Sequence, residues 1–263
     1  MTDAVFLDTN IIRNADANSF FGNASKFQQI SRLVQIYIPK IVIEEIKWQK
    51  WEKLRISLDS FKDNYFCSLI GCDAEHLSGH IPEKIAELYD NAQSEFAFTE
   101  ISLRQELGHI DHLKDLAVQK LAPFETKSDK GFKDAYIYLT IKQFLAENAS
   151  HIFLFTNDGK LKEAFHGHEL VTVLTEPDQY FDNRSSYFKE GYFLETLNTD
   201  FNERIASGDI KGFDADATLA AENIEDVRIN EDDEWELALK VEKSKFSVIV
   251  DFYSKEIIDV EKL

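Results

Sequence analysis

A chain of 263 residues, 44% of them apolar and including 21 Phe and 9 Tyr, can bury a core, which excludes wholesale disorder. Only 4 Pro and 10 Gly argue against a turn-dense all-β protein and for long helices. A formal charge of −19 weighs against long, non-specific nucleic-acid binding, because phosphate-binding surfaces are usually basic, but it leaves short or structured strands open.

The first eight residues, ending at Asp8, are too short and too acidic for a signal peptide, and no apolar run nears the ~20 residues that span a bilayer. Ala4-Val5-Phe6-Leu7 followed by Asp8-Thr9-Asn10 predicts a buried parallel strand that opens into a polar loop. Phe27, Ile30, Leu33 and Val34 give a helix over 24–34. Ile36-Tyr37-Ile38 is a second strand, punctuated by Pro39, and a long helix follows through Ile41, Val42, Glu45 and Ile46 towards Phe61. Residues 62–125 look mainly helical, with Leu88, Ala92, Phe96 and Ile101 along one stripe and no clear strand. The two cysteines, Cys67 and Cys72, form neither a disulfide framework nor a zinc knuckle, so a reducing cytoplasm is the expected setting.

A helix with two apolar rows, the first beginning at Phe132, is predicted over 131–147. Ile152 to Phe155 is a third buried strand closed by Thr156-Asn157-Asp158-Gly159, with a short helix from Lys160 and a strand over 170–174 completing a β-α-β alternation. Such alternation is the mark of a parallel sheet covered by helices on both faces. The composition then shifts. Residues 176–234 are acidic and irregular, with helical pieces near 187–197, and from Trp235 the apolar period becomes two, a small antiparallel β unit. Residues 200–263 hold 18 acidic against 8 basic residues, a net of −10 that leaves −9 for residues 1–199. The expected organisation is an α/β domain over 1–180, with a helical insertion at about 55–122, and an acidic extension over 181–263.

Ligands of open α/β sheets bind beyond the carboxyl ends of the strands. Asp8 directly follows the first strand and Asp158 closely follows the third, so both fall at that edge. Glu45 lies in the first turns of the helix after strand two, and Asp134 in the first turn of the helix leading into strand three. Any one of these acids alone reads most simply as a helix N-cap or a solvated helix residue. Four in this order would converge on one pocket, where they repel each other unless a hard cation such as Mg²⁺ or Mn²⁺ binds. Such ions activate water and stabilise the leaving oxygen in phosphodiester cleavage.

The segments VFLDTNII, YIPKIVIEEI, KGFKDAYIYL and IFLFTNDGKL are very similar to the four successive motifs of PIN-domain nucleases, and the resemblance covers roughly residues 3–175. It looks most like the larger bacterial PIN-like proteins with a C-terminal extension. It implies a three-layer fold with a central parallel sheet of about five strands. It implies that Asp8, Glu45, Asp134 and Asp158 hold Mg²⁺ or Mn²⁺, with Asn10 and Thr156 orienting them. It further implies an endoribonuclease, with a toxin or defence role among those expected of the family, and as alternatives a DNA or flap nuclease or a non-catalytic binding module. Glu44 stands beside Glu45, and the motif alone does not settle which points inward; Glu45, six residues after Pro39, matches the family pattern. Asp129 is an additional acid near Asp134, in a more loop-like context.

Lys127, Lys130 and Lys133, just before Asp134, are placed to meet substrate phosphates. Lys47, Lys50, Lys53 and Arg55, interleaved with Trp48 and Trp51, could follow a phosphate backbone; an amphipathic helix with inward Trp residues explains them equally well. His109 and His112 share a helix face but lack a third ligand, and a surface pair is the simpler reading. An aspartyl-phosphate chemistry at Asp8 would want a second acid two residues on, where this chain has Asn10. The acidic extension is expected to serve as an oligomerisation or regulatory-partner surface, with no membrane contact.

Overall fold

The computed structural model describes all residues except 1–2, 14–15, 63–68, 70–73, 105–106, 125–129, 149, 190, 211–218, 231–233, 242–243 and 252–255. Cys67, Cys72, Lys127 and Asp129 therefore lie outside the described residues. The chain divides into two compact units, Met1–Pro177 and Asp178–Leu263.

The first unit is built on five parallel strands, β1 (Asp3–Leu7), β2 (Gln35–Pro39), β3 (Phe98–Ile101), β4 (His151–Phe155) and β5 (Val171–Leu174), in the order β3-β2-β1-β4-β5. Val5, Phe6 and Leu7 of β1 and Phe153 and Leu154 of β4 are fully buried, as expected of central strands covered on both faces. Successive side chains of a strand point to opposite faces, and each face has its own helix. On one, Phe6 meets Phe144 of α7 (Phe132–Glu147) edge-on at 5.2 Å. On the other, Phe155 meets Phe27 of α2 (Ala24–Leu33) edge-on at 5.5 Å. α1 (Thr9–Ile12) is a single turn after β1, α3 (Lys40–Lys62) leaves β2 directly, and α8 (Gly159–Ala164) follows β4.

The stretch over 62–125, expected to be mainly helical with no clear strand, departs from that expectation in one respect. It holds α4 (Ala74–Gly79), α5 (Ile81–Glu95) and α6 (Leu107–Gln119), but also the edge strand β3, whose register against β2 runs from Ile36↔Phe98 to Pro39↔Ile101. Four residues reading Phe-Thr-Glu-Ile carry too little periodicity to announce a strand, and the ladder to β2 decides the outcome.

The second unit is also more regular than its composition suggests. Two helices, α9 (Asp178–Tyr187) and α10 (Gly191–Ser207), occupy much of the stretch expected to be irregular. They precede a four-stranded antiparallel meander, β6 (Ile224–Ile229), β7 (Trp235–Val241), β8 (Ser244–Val250) and β9 (Ile257–Lys262). Strict alternation in β7 buries Trp235, Leu237, Leu239 and Val241, and Phe188 packs on Trp235 at 5.2 Å. β9 is tied to α10 by Asp200, which accepts from Ile257 N at 2.7 Å, and by Arg204, which donates to Ile257 O. Among the described residues, no helix is long and apolar enough to cross a membrane.

Candidate functional site

In the strand order β3-β2-β1-β4-β5 the chain departs in opposite directions from the neighbours β1 and β4, which makes their carboxyl ends the topological switch point. Leu7 pairs with Phe155, and Asp8 N extends the ladder by donating to Phe155 O at 3.0 Å. Asp8 and Thr156 are therefore side by side beyond the last pair, and the Thr156 hydroxyl donates to Asp8 Oδ2 at 2.6 Å. Asn10 Nδ2 donates to the same oxygen at 2.6 Å, while Thr9 N donates to Oδ1 at 2.6 Å. Asp8 is only 3% exposed, so three donors hold one carboxylate in a nearly dry position.

The other acids arrive from three further elements. Asp158 is the N-cap of α8, with Oδ1 accepting from Lys160 N and Leu161 N at 2.8 Å each. Its own N donates to Thr156 Oγ1 at 3.0 Å, so one threonine links Asp8 to Asp158. Glu45 comes from the second turn of α3; Oε2 accepts from Thr9 Oγ1 at 2.7 Å, and Oε1 accepts from Gln49 Nε2 at 2.9 Å and from the Lys133 ammonium. Its side chain is 17% exposed, whereas that of Glu44 is 63% exposed and points to Lys40 at 3.9 Å. Glu45, not Glu44, therefore faces the cleft.

Asp134 lies in the first turn of α7. The helix starts at Gly131, whose φ of +115° belongs to glycine, and a Cβ there would come within 2.6 Å of Pro123 O. That close approach sets where α7 begins and so where Asp134 stands.

Asp8, Glu45, Asp134 and Asp158 line a single cleft of about 570 Å³, together with Thr9, Asn10 and Gln49 and the cations of Arg13, Lys130, Lys133 and Lys160. Burial raises Asp8 above the ordinary carboxylate range, against the donors from Thr156 and Thr9, and the charges of Asp158 and Glu45 push in the same direction. Asp134 is pushed up to about 6, by burial first and then by Asp158, Asp8 and Glu45, with Lys133 opposing. Among the described residues no three His, Cys, Asp or Glu side chains stand in a ready coordination cage, and Lys133 lies against Glu45. The donor set nevertheless fits a hard divalent cation. Its groups are carboxylate oxygens, supported by hydroxyls and an amide, and their surplus negative charge is what a cation would relieve.

Asn10, Lys130 and Lys133 line this cleft with the four acids, as expected, whereas Thr156 lies behind it and reaches it through Asp8. Thr9, Gln49, Arg13 and Lys160 are further members not expected from sequence. Gln49 had a signal, since it stands one turn after Glu45 and so shares its face; Arg13 had none. The His109–His112 pair stays outside the cleft, with His109 Nδ1 bonded to Arg104 O at 2.8 Å. Along α3, Trp48 does not pack inward: it is 59% exposed and stacks on Trp51 with ring centroids 5.0 Å apart. Lys50 is buried and donates to Asp16 O at 3.0 Å, which removes it from any phosphate-tracking row.

The family described as PIN domain matches residues 5–161, well over half of the chain. No curated protein and no solved structure matches it.

Proposed function

This chain belongs to the PIN-domain family, and from that premise we propose that it is a metal-dependent endonuclease, with RNA as its substrate. PIN domains are usually nucleases and generally use divalent ions such as Mg²⁺ or Mn²⁺. The observation that carries the reading is the carboxylate pocket at the switch point. Asp8 and Asp134 are raised by burial and by their acidic neighbours, an electrostatic conflict that a purely structural pocket would have no reason to keep.

In this reading Asp8, Glu45, Asp134 and Asp158 hold the cation. Bound there, Mg²⁺ or Mn²⁺ would neutralise phosphate charge and make water acidic enough to yield a nucleophile near neutral pH. The remaining work belongs to the chain. Thr156 and Asn10 fix the Asp8 carboxylate in one orientation, and Thr9 and Gln49 do the same for Glu45. Lys133 balances Glu45, and with Lys130 and Arg13 it offers the cationic rim that a phosphodiester needs. The C-terminal unit, with 22 acidic and 10 basic residues and so a net charge of −12, is read as a protein-interaction module, and a toxin or defence role is the cellular setting that fits such a nuclease.

The test is incubation of the purified protein with RNA, single-stranded DNA and flap DNA in Mg²⁺, Mn²⁺ or EDTA. RNA cleavage should require the ion and fall by roughly 10²–10³-fold in Asp134→Asn. Cleavage that persists in EDTA, or is undiminished in that variant, overturns the mechanism. Cleavage of DNA alone replaces RNA with the second reading, a DNA or flap nuclease.

A further inference from the structure

Mg²⁺ and Mn²⁺ seek oxygen ligands, whereas Zn²⁺, Ni²⁺ and Cu²⁺ readily accept imidazole nitrogen. Two histidines four apart on a helix share a face and can hold one such ion between them. His76 and His80 have this spacing, in the run of helices between β2 and β3. His76 belongs to α4, and His80 is the residue between α4 and α5.

The backbone keeps its helical turn through that junction. His80 has φ −86° and ψ −8°, its N donates to Leu77 O at 3.2 Å, and its O accepts from Lys84 N at 3.0 Å. Pro82, in the first turn of α5, has no N–H to offer the carbonyl of Ser78 four residues back, so the hydrogen-bond ladder is interrupted there. α4 and α5 therefore meet at a joint, and the two imidazoles stand across it. Both helices pack on α3.

The rings are aligned as well as spaced. His76 Nε2 and His80 Nε2 are 3.1 Å apart, with the ring planes at 81°. On its other side, His80 Nδ1 is 2.9 Å from Glu83 Oε2. A carboxylate only accepts, so Nδ1 carries the hydrogen and, in the neutral ring, Nε2 keeps its lone pair. That lone pair faces the second ring nitrogen. Two nitrogens bound to one ion at ~2.0–2.1 Å lie about 2.9 Å apart at a right angle and about 3.3 Å apart at a tetrahedral one, and the observed separation falls between these. A carboxylate behind a ligating imidazole fixes its tautomer and orientation, which is the place Glu83 occupies. The side chains of His80 and Glu83 are 55% and 75% exposed, so an ion can reach the pair from solvent. Lys84, the next cation along the chain, donates to Glu87 Oε1 at 2.8 Å.

We propose that His76 and His80 form a binding site for a transition-metal dication of the Zn²⁺, Ni²⁺ or Cu²⁺ class, with Glu83 orienting His80, and that the bound ion fastens α4 to α5 across the joint. Two protein nitrogens leave the other coordination positions to water. Neither histidine lines the carboxylate cleft, and the inference does not rest on the nuclease reading.

The test uses the untagged full-length protein in excess Mg²⁺, which competes for oxygen ligands. Zn²⁺ and Ni²⁺ are titrated by calorimetry, and long-range proton–nitrogen correlation spectra follow the imidazole nitrogens during the Zn²⁺ titration. Both ions should bind wild type saturably, and Zn²⁺ should shift the Nε2 signals of His76 and His80. His76→Ala and His80→Ala should each weaken binding at least about tenfold, and Glu83→Gln by about threefold to tenfold. At about tenfold excess over Kd, Zn²⁺ should raise the melting temperature of wild type by about 2–4 °C and leave that of His76→Ala unmoved. Circular dichroism melts in EDTA should show all variants folded. Binding undiminished in both alanine variants overturns the site, as do Nε2 signals that stay in place. Displacement of the bound Zn²⁺ by Mg²⁺ also overturns it, because the ion would then sit on oxygen ligands. Tight binding without a rise in melting temperature overturns the fastening of α4 to α5.

Discussion

In the N-terminal unit Asp8 and Asp134 sit above the ordinary carboxylate range, raised by burial and then by neighbouring acids. In the C-terminal unit Glu225 and Glu236 sit below it, lowered chiefly by hydrogen bonds from Lys245 and Arg228. The residue chemistry is the same and the sheets differ. A parallel sheet delivers the carboxyl ends of all its strands to one edge, so acids from distant segments gather there, and Lys133 answers Glu45 without offsetting the burial of Asp8 and Asp134. In the antiparallel meander each residue has a cross-strand partner. Arg228 and Glu236 are register partners and make two hydrogen bonds of 2.9 Å, while Glu225 draws on Lys245 at 2.8 Å and Lys240 at 3.8 Å. In the meander Glu225 and Glu236 are answered by bases, and at the edge of the parallel sheet Asp8 and Asp134 keep a conflict. Charge conflict, rather than charge, marks the edge that holds the candidate site.

The most severe way to probe that contrast is to neutralise one acid from each unit. Asp8→Asn should lower metal-dependent cleavage by about 10³-fold, whereas Glu236→Gln should leave turnover near wild type. Comparable losses in the two variants, in steady-state cleavage assays, would break the comparison.

Next in size is the backbone that positions Asp134. Gly131→Ala puts a methyl at a positive φ and against Pro123 O, so α7 must shift or strain. It should cost roughly 1–3 kcal/mol in urea unfolding and reduce cleavage by more than tenfold, although no acid is touched.

Stability against pH sharpens the contrast further. Asp134 titrates at about 6 when folded against an ordinary 3.8, so between those values the folded chain holds a proton that the unfolded chain has released. Its contribution to metal-free stability therefore falls as pH rises from about 4 to about 6, leaving a penalty of roughly 1–2 kcal/mol at pH 7 once partial solvent screening is allowed for. Asp134→Asn should remove the penalty, raising the melting temperature in EDTA at pH 7 and little at pH 4.5. Glu236 has the opposite sign: its contribution is present above the ordinary carboxylate value and is lost as pH falls through its lowered one. The smallest effect expected is that of Glu236→Gln at pH 7, a melting temperature within about 2 °C of wild type by calorimetry.

Much of the N-terminal fold was legible because its signals are local. Uninterrupted apolar runs at 4–7 and 152–155, each ending in a polar tripeptide, mark central parallel strands and the edge where Asp8 and Asp158 emerge. β3 was not legible, since it is an edge strand whose existence depends on pairing with β2. β6 escaped for a related reason: Ile224, Val227 and Ile229 lack strict alternation, and the register shifts between Ile224 and Asp226. Phe132 was expected in an apolar row and is exposed, because α7 turns Ala135, Ile137, Thr140 and Ile141 to the interior.

The sequence by itself determined the parallel α/β class, the four acids and their order at the strand ends, because strand burial and chain punctuation are properties of short segments. The tertiary structure alone decided that Glu45 and not Glu44 faces the cleft, that Lys133 meets Glu45 across 88 positions of chain, and that burial among neighbouring acids holds Asp134 near 6. Those outcomes depend on which helix face meets which neighbour. Contacts between distant segments set that, and no local spacing encodes it.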